Sequence, residues 1–258
     1  MSAFPQIGSG SITQFPVRRS RKWRSISNRM ENSETIQLPD ATAGQIDWQF
    51  SLQELSDAEV ATLNSFFVAA QGQFAPFLLI DPMANLLGWS EDLSRPDWQL
   101  GLMTQSAGAA DPLGTTRAST LTNGNPGGQT LQQTLGVPGD YVACFSAWIS
   151  TDGAGTVTLQ RDGTSVTCGI GPAWQRFYMG GKGVSGANQS TFSIVVAAGQ
   201  SVRIWGLQVE VQPYPSGYKQ TETAAGIYEE TYFGGDELTI TSTSVGLSSC
   251  DIVLTSRI

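Results

Sequence analysis

The chain has 258 residues, 14 Lys and Arg against 22 Asp and Glu, and no histidine. A net charge of -8 argues against a nucleic-acid-binding protein, because phosphate contact needs a basic face. Without histidine there is no Ser-His-Asp triad, no His-assisted thiol and no His-containing zinc site.

This length suits one large domain or two modest ones. The low share of charged residues (14%), the 29 glycines and the abundant Ser and Thr favour β structure over helix bundles. The three cysteines, Cys144, Cys168 and Cys250, lie far apart in or beside apolar or Thr-rich runs. Buried free thiols are expected. No apolar run is long enough to span a bilayer, and the N-terminus lacks the apolar stretch of a signal peptide. The expectation is folding in a reducing cytoplasm, without membrane insertion.

Residues up to Gly10 form a small, polar lead-in or edge strand. The segment from Arg18 to Arg29 then holds Arg18, Arg19, Arg21, Lys22, Arg24 and Arg29, six of the fourteen basic residues of an acidic chain. Three roles compete: a solvated face or loop, a contact surface for an acidic neighbouring subunit, and a nucleic-acid patch. Glu34-Thr-Ile-Gln-Leu38 and Gly44 to Leu52 alternate with period two. In the second, Ile46, Trp48, Phe50 and Leu52 share one face, as a half-buried strand requires. Residues 38–44 between them carry turn formers and read as a loop.

Ser56-Asp-Ala-Glu59 is a capping-box pattern. Val60, Leu63, Phe66, Phe67 and Ala70 follow at helical spacing, and Gly72 is placed to end the helix in a left-handed conformation. Phe74 to Ile80 is apolar on both faces and reads as a buried strand with a proline near its start. Asp81-Pro82 stops it. Beyond Trp98, strand-like runs recur at Tyr141–Ser150, Thr156–Arg161, Arg176–Met179, Thr191–Ala197 and Val202–Val209. Asp-Gly turn signals follow Thr151 and Arg161. That spacing suits an antiparallel sandwich.

The order of Ile46-Asp-Trp-Gln-Phe50, a helix ending Leu63-Asn-Ser-Phe-Phe67, a glycine, and a strand closing in Phe77-Leu-Leu-Ile-Asp-Pro82 resembles the distal-tail or minor-tail proteins of long-tailed phages and gene transfer particles. Tyr228 to Thr241 and Ser249 to Arg257 match the ending of that family. The segment Asn85-Leu-Leu-Gly-Trp-Ser-Glu-Asp-Leu-Ser-Arg-Pro-Asp-Trp98 resembles the opening of carbohydrate-binding-module-like jelly rolls, with Leu93 where Phe is commoner. Tyr141 to Ile149, Gly171 to Phe177 and Ser201 to Tyr218 resemble its later strands.

Together these give a mainly β fold: a small β-rich tail-protein domain with one helix, residues 1–83 plus 224–258, split by an inserted antiparallel β-sandwich (jelly roll), residues 84–223. The resemblance implies a virion structural protein of the tail tip, assembled in the bacterial host cytoplasm. It implies a ring, a hexamer, that joins tail tube to tip or baseplate. Its partners would be itself, the tail tube protein, the tail hub and tip proteins, and host surface polysaccharide. The alternative is a carbohydrate-binding protein in which the sandwich does the work.

Candidate subunit contacts are the six basic residues above and the acidic Glu229, Glu230, Asp236 and Glu237. Trp89 and Tyr214, with polar, Pro or Gly neighbours, are the candidate sugar contacts. Trp98, Trp148, Trp174 and Trp205 fall in apolar patterns and read as core. Glu91, Asp92, Asp97 and Glu210 raise a structural calcium, against turn capping as the ordinary role of such carboxylates. The acids from Glu229 to Glu237 flank a Gly-Gly turn rather than a cleft. No catalytic residue, no metal ligand set and no cofactor are assigned.

Overall fold

A computed structural model describes residues 2–223 and 225–258. In chain order its elements are β1 (Val17–Arg29), β2 (Thr35–Leu55), α1 (Asp57–Ala70), β3 (Phe77–Ile80), β4 (Thr104–Ala109), β5 (Ala118–Thr122), β6 (Gln129–Leu135) and β7 (Ala143–Ser150). There follow β8 (Gly155–Arg161), β9 (Thr164–Ile170), β10 (Gln175–Gly181), β11 (Ser190–Val196), β12 (Ser201–Glu210), β13 (Ile227–Phe233), β14 (Ile240–Ser244) and β15 (Leu247–Arg257). The protein is mainly β, with antiparallel sheets and one helix among the described residues. That helix is too short to cross a membrane.

The chain divides into two compact units. The first takes the residues up to Gly8, Ile12–Ile80 and Tyr228–Ile258; the second takes Ser9–Ser11 and Asp81–Ile227.

In the first unit, one sheet runs β1-β2-β15-β13-β3, with β14 paired to β15. Ile46, Trp48, Phe50 and Leu52 are buried along one face of β2, as their alternation demands. Phe4, Phe66, Phe77 and Phe233 meet there, with Phe66–Phe77 and Phe77–Phe233 ring centroids 5.0 Å and 5.2 Å apart. Phe4 and Phe77 come from one end of the chain and Phe233 from the other, so neither end builds this core alone. The Trp48 indole donates to Ser256 Oγ at 3.0 Å, which supplies the partner a buried indole N–H requires.

The capping box of α1 forms: the Ser56 hydroxyl accepts from the Glu59 amide, and the Glu59 carboxylate accepts from the Ser56 amide. The left-handed cap is Gln71, with φ 52°; Gly72 follows it at φ 61°. Phe74 is exposed and the strand begins only at Phe77, because Pro76 has no N–H to give a ladder.

Residues 38–44 do not form a loop. Strand β2 runs through them, paired with β1 up to Arg24↔Asp40 and again from Lys22↔Gln45. The turn formers are absorbed as a wide bulge, in which residues 41–44 stand opposite Trp23 alone.

In the second unit, a five-stranded sheet, β10-β7-β12-β5-β4, and a four-stranded sheet, β6-β11-β8-β9, form the sandwich. Phe145, Ala147, Ile149 and Ile204 from the first sheet and Leu159, Phe192 and Ile194 from the second are fully buried. Phe145 and Phe192 rings meet at 5.9 Å. The buried Asn85 ties the opening of this unit to its end. Its amide donates to Leu207 O and Lys219 O, both at 2.9 Å, and its Oδ1 accepts from Leu87 N and Val209 N. Nearby, Asp81 N donates to Gly226 O at 2.7 Å. Entry and exit of the sandwich are therefore adjacent.

Candidate functional site

Two surfaces stand out, one in each unit. In the first unit, β2 extends beyond the end of β15, which stops pairing at Arg257↔Gln45. From Arg24 to Asp40 only β1 and β2 remain, a two-stranded ribbon exposed along its length. The register sets Ile26 opposite Leu38 and Asn28 opposite Ile36. Directly paired residues share a face, so Ile26, Ile36 and Leu38 make one apolar stripe. Ser25↔Pro39, Ser27↔Gln37 and Arg29↔Thr35 make the opposite face polar. Ile26 is 46% exposed and Leu38 52%. A lone two-stranded ribbon is marginal in water, and an apolar stripe on it gains most by being covered.

The basic residues sit on this strand. Lys22 pairs with Asp47 and Arg24 with Asp40. Arg19 lies over the Trp48 ring, 5.6 Å from its centroid. Burial opposes ionisation of Asp47, yet the Lys22 ammonium and the Thr255 hydroxyl hold its carboxyl below the ordinary value. Arg18, Arg21 and Arg29 are exposed. Of the acidic candidates, Glu229 and Glu230 are exposed on β13. Asp236 instead holds the turn after α1, accepting from Gln73 N, and Glu237 accepts from the Thr239 hydroxyl at 3.1 Å.

In the sandwich, Trp89, Glu91, Gln105, Arg117, Gln220 and Glu222 help line an open groove of about 450 Å³. Arg117 in its lining is held by its neighbours. Its Nη1 donates to Gln220 Oε1 at 3.1 Å and reaches Glu91 at 3.3 Å. Asp111 shapes the loop before it: burial would raise its pKa, but the Thr115 hydroxyl and the amides of Leu113, Thr115 and Arg117 bring it below the ordinary carboxylate range. Trp89 has φ 51°, and the Arg95 guanidinium covers its ring 4.0 Å from the centroid. Asp92 orients that guanidinium at 2.7 Å; the Ser94 hydroxyl, more than Arg95, keeps the Asp92 carboxyl below its usual range. The sugar-contact candidate Trp89 thus presents a ring covered on one side by an arginine.

Tyr214 is exposed and meets Tyr178 edge-on at 6.3 Å. Tyr178 is an aromatic that reading the sequence did not single out; its strand β10 is legible, but its exposure depends on which face of the sheet it takes. Trp98 and Trp205 are buried, whereas Trp148 and Trp174 are only half-buried. Trp148 lies on the outer face of the five-stranded sheet beside Trp205, and the Tyr218 ring packs tilted against Trp205 with centroids 4.7 Å apart. The segment around Tyr218 covers that face: Gln208 exchanges bonds with Gly217 O and Lys219 N, and Glu210 accepts from Ser216 N at 2.9 Å.

Glu91, Asp92, Asp97 and Glu210 do not converge. Glu91 faces Arg117, Asp92 faces Ser94 and Arg95, and Glu210 faces Ser216. Among the described residues no group of three or more His, Cys, Asp or Glu is placed to hold a metal.

No protein-family model matches the chain, and no curated protein matches it by sequence. Among solved structures it is similar to a carbohydrate-binding module of family 4, at 14% identity over 50% of this chain and 95% of that one, with a TM-score of 0.35. It is also similar to the C-terminal family 22 carbohydrate-binding module of Clostridium thermocellum Xyn10B, at 16% identity over 51% and 96%, TM-score 0.41. A third is the enzymatically active domain of bacteriophage CBA120 tailspike protein 4, at 16% identity over 51% and 21%, TM-score 0.36. None of the three is described as a ring component of a tail tip.

Proposed function

We propose that the chain is a structural assembly protein of a phage tail tip. Its first unit joins copies into a ring between tail tube and tip or baseplate, and the sandwich is carried as an accessory that meets host glycans or neighbouring tail proteins. The observation that carries this reading is the ribbon from Arg24 to Asp40, with Ile26, Ile36 and Leu38 in water on one face. An isolated monomer has nothing to gain from that stripe; an interface does. The basic residues of β1 and the exposed Glu229 and Glu230 of β13 belong to the same sheet, so a head-to-tail contact between copies brings opposite charges together. The ring acts by assembly and contact rather than by turnover. An acidic lumen would repel DNA and let it pass.

The test is the mass of the full chain in solution as a function of concentration, beside Leu38→Asp. The expected result is a closed oligomer for the parent chain, with the variant shifted to monomer. A parent chain that stays monomeric, alone and with tail-tube protein, would overturn the reading.

A second reading is favoured by the Trp89–Arg117 groove: the sandwich binds a glycan. The groove is within the usual size range of small-ligand sites and offers planar amide, carboxylate and guanidinium groups beside an indole. Binding of the full chain to an array of bacterial surface glycans, lost in Trp89→Ala and in Arg117→Ala, would support it. Binding unchanged in both variants would place any glycan elsewhere.

A further inference from the structure

One edge of strand β9 in the sandwich has no backbone partner among the described residues. We infer that it pairs with β9 of a second copy of this chain, antiparallel and across a two-fold axis. The inference does not rest on the ring contact proposed above, because it concerns the second unit and a different surface.

Strand β9 ends the four-stranded sheet and pairs only with β8. Asp162 and Gly163 join the two strands, and the register runs without a bulge from Arg161↔Thr164 to Gly155↔Ile170. A two-residue loop makes its flanking residues a hydrogen-bonded pair, and such pairs recur at every second position. Thr164, Val166, Cys168 and Ile170 therefore turn their backbone groups toward β8. The bond from Asp162 N to Thr191 O, which points the other way into β11, agrees with that alternation. Ser165, Thr167 and Gly169 turn theirs outward, and all three are exposed.

Proteins guard such edges with charge, proline, a bulge or a covering segment. Here β1 carries six basic residues and β10 carries Arg176. The pairings of β4 and β14 are broken by bulges, while Gln99 bridges to β6 and Ala3 to β3. Thr164-Ser-Val-Thr-Cys-Gly-Ile170 has no charge, no proline and no bulge. It also leaves an apolar side chain uncovered. Val166 pairs with Leu159 and so shares its core-facing side, yet Val166 is 42% exposed where Leu159 is fully buried.

A second β9 fits because the strand is complementary to itself. Full overlap of the seven residues puts the two-fold axis at the middle one, Thr167. Thr167 then meets Thr167 of the second copy, and Ser165 meets Gly169. Each of these outward-facing pairs can exchange two backbone hydrogen bonds. Val166 comes opposite Cys168 on the core-facing side and is covered. No charge faces a like charge, and the two four-stranded sheets become one continuous sheet. The contact is isologous. A single strand pair is a small interface, so pairing depends on concentration and strengthens where copies are already held together.

The experiment is site-directed cross-linking in the full chain. The three native cysteines are buried, so Ser165→Cys, Thr167→Cys and Gly169→Cys each add one accessible thiol. Mild oxidation should join Thr167→Cys to itself, because paired Cα atoms lie about 5.5 Å apart, within disulfide reach. Ser165→Cys alone should not join, since its image lies four positions, about 14 Å, along the strand. An equal mixture of Ser165→Cys and Gly169→Cys should. Adding Thr167→Pro to both members removes an outward N–H and spares the ladder to β8; Thr167→Lys sets like charges face to face. Either should slow that mixed cross-linking about tenfold. No cross-link in Thr167→Cys or in the mixture would overturn the pairing. So would cross-linking of Ser165→Cys alone as fast as the mixture, or a mixture indifferent to both changes at Thr167. Each of these results leaves the ring contact standing, which Leu38→Asp tests separately.

Discussion

Asp236 Oδ1 accepts a hydrogen bond from the amide of Gln73 at 3.0 Å, across 163 positions of sequence. The acceptor sits in the loop after β13 and the donor in the turn that ends α1. Between them stands Gly72, at φ 61°, where an added Cβ would lie 2.5 Å from Asp236 Oδ1. Gly72→Ala meets both a backbone penalty and a clash, and should cost about 1–2 kcal/mol. Asp236→Ala removes only the bond and should cost about 1 kcal/mol. Urea unfolding followed by far-ultraviolet circular dichroism checks both. An equal effect of the two changes would mean that the backbone conformation at Gly72 carries no strain.

Arg161 is fully buried in the sandwich and donates to three backbone carbonyls and one hydroxyl. Its Nη1 donates to Tyr141 O and Gly181 O, its Nη2 to Pro138 O, and its Nε to Ser190 Oγ. Burial pulls its pKa down to about 10, and Asp162 opposes that. Lysine cannot present a planar fork to several carbonyls, so Arg161→Lys should destabilise the sandwich by about 2–4 kcal/mol. Calorimetry should show one transition lowered and the other unmoved, if the two units melt separately.

Glu59 gives the first unit an acid-sensitive joint. The Ser56 hydroxyl lowers its pKa most, burial opposes, and the amides of Gly8 and Ser56 add to the lowering. A carboxyl with a folded pKa below its unfolded one adds stability above the unfolded value, and that stability is lost as pH falls through the folded value. The loss should therefore fall below about pH 4.3. Glu59→Gln should cost about 1 kcal/mol at neutral pH and show a shallower acid limb in a pH series of melting temperatures.

The thiols should be silent in the folded protein. Burial pushes Cys144 up to about 12 and Cys250 up to about 11, and raises Cys168 as well. A disulfide-exchange dye at neutral pH should titrate none of them in the native chain and all three after denaturation. A fast native reaction would reveal an opening that the packing does not show.

The elements that sequence displays are those with local causes. The capping box at Ser56, the alternation from Ile46 to Leu52 and the central sandwich strands all follow from near neighbours. The outlying strands β4, β5, β6 and β9 do not stand out, because Thr, Gln and Gly dilute their alternation; their partners across the sheet define them. The turn formers near Pro39 mark a bulge because β1 keeps pairing on both sides of it. Trp148 is legible as a strand residue, but which side of the sheet it takes depends on register. The ribbon's apolar stripe escapes the sequence for the same reason. Ile26 and Leu38 are twelve residues apart, and only the pairing puts them on one face.

The hydrogen bond from Asp81 N to Gly226 O closes the neck of the inserted sandwich to the width of one strand pair. A neck of that width makes the sandwich an exchangeable cassette. Any module whose two ends meet as strand neighbours can replace it without redrawing the aromatic core that Phe77 and Phe233 share. Changes confined to the sandwich and changes confined to that aromatic core are thereby uncoupled along the chain, with Asp81 and Gly226 as the joint between them.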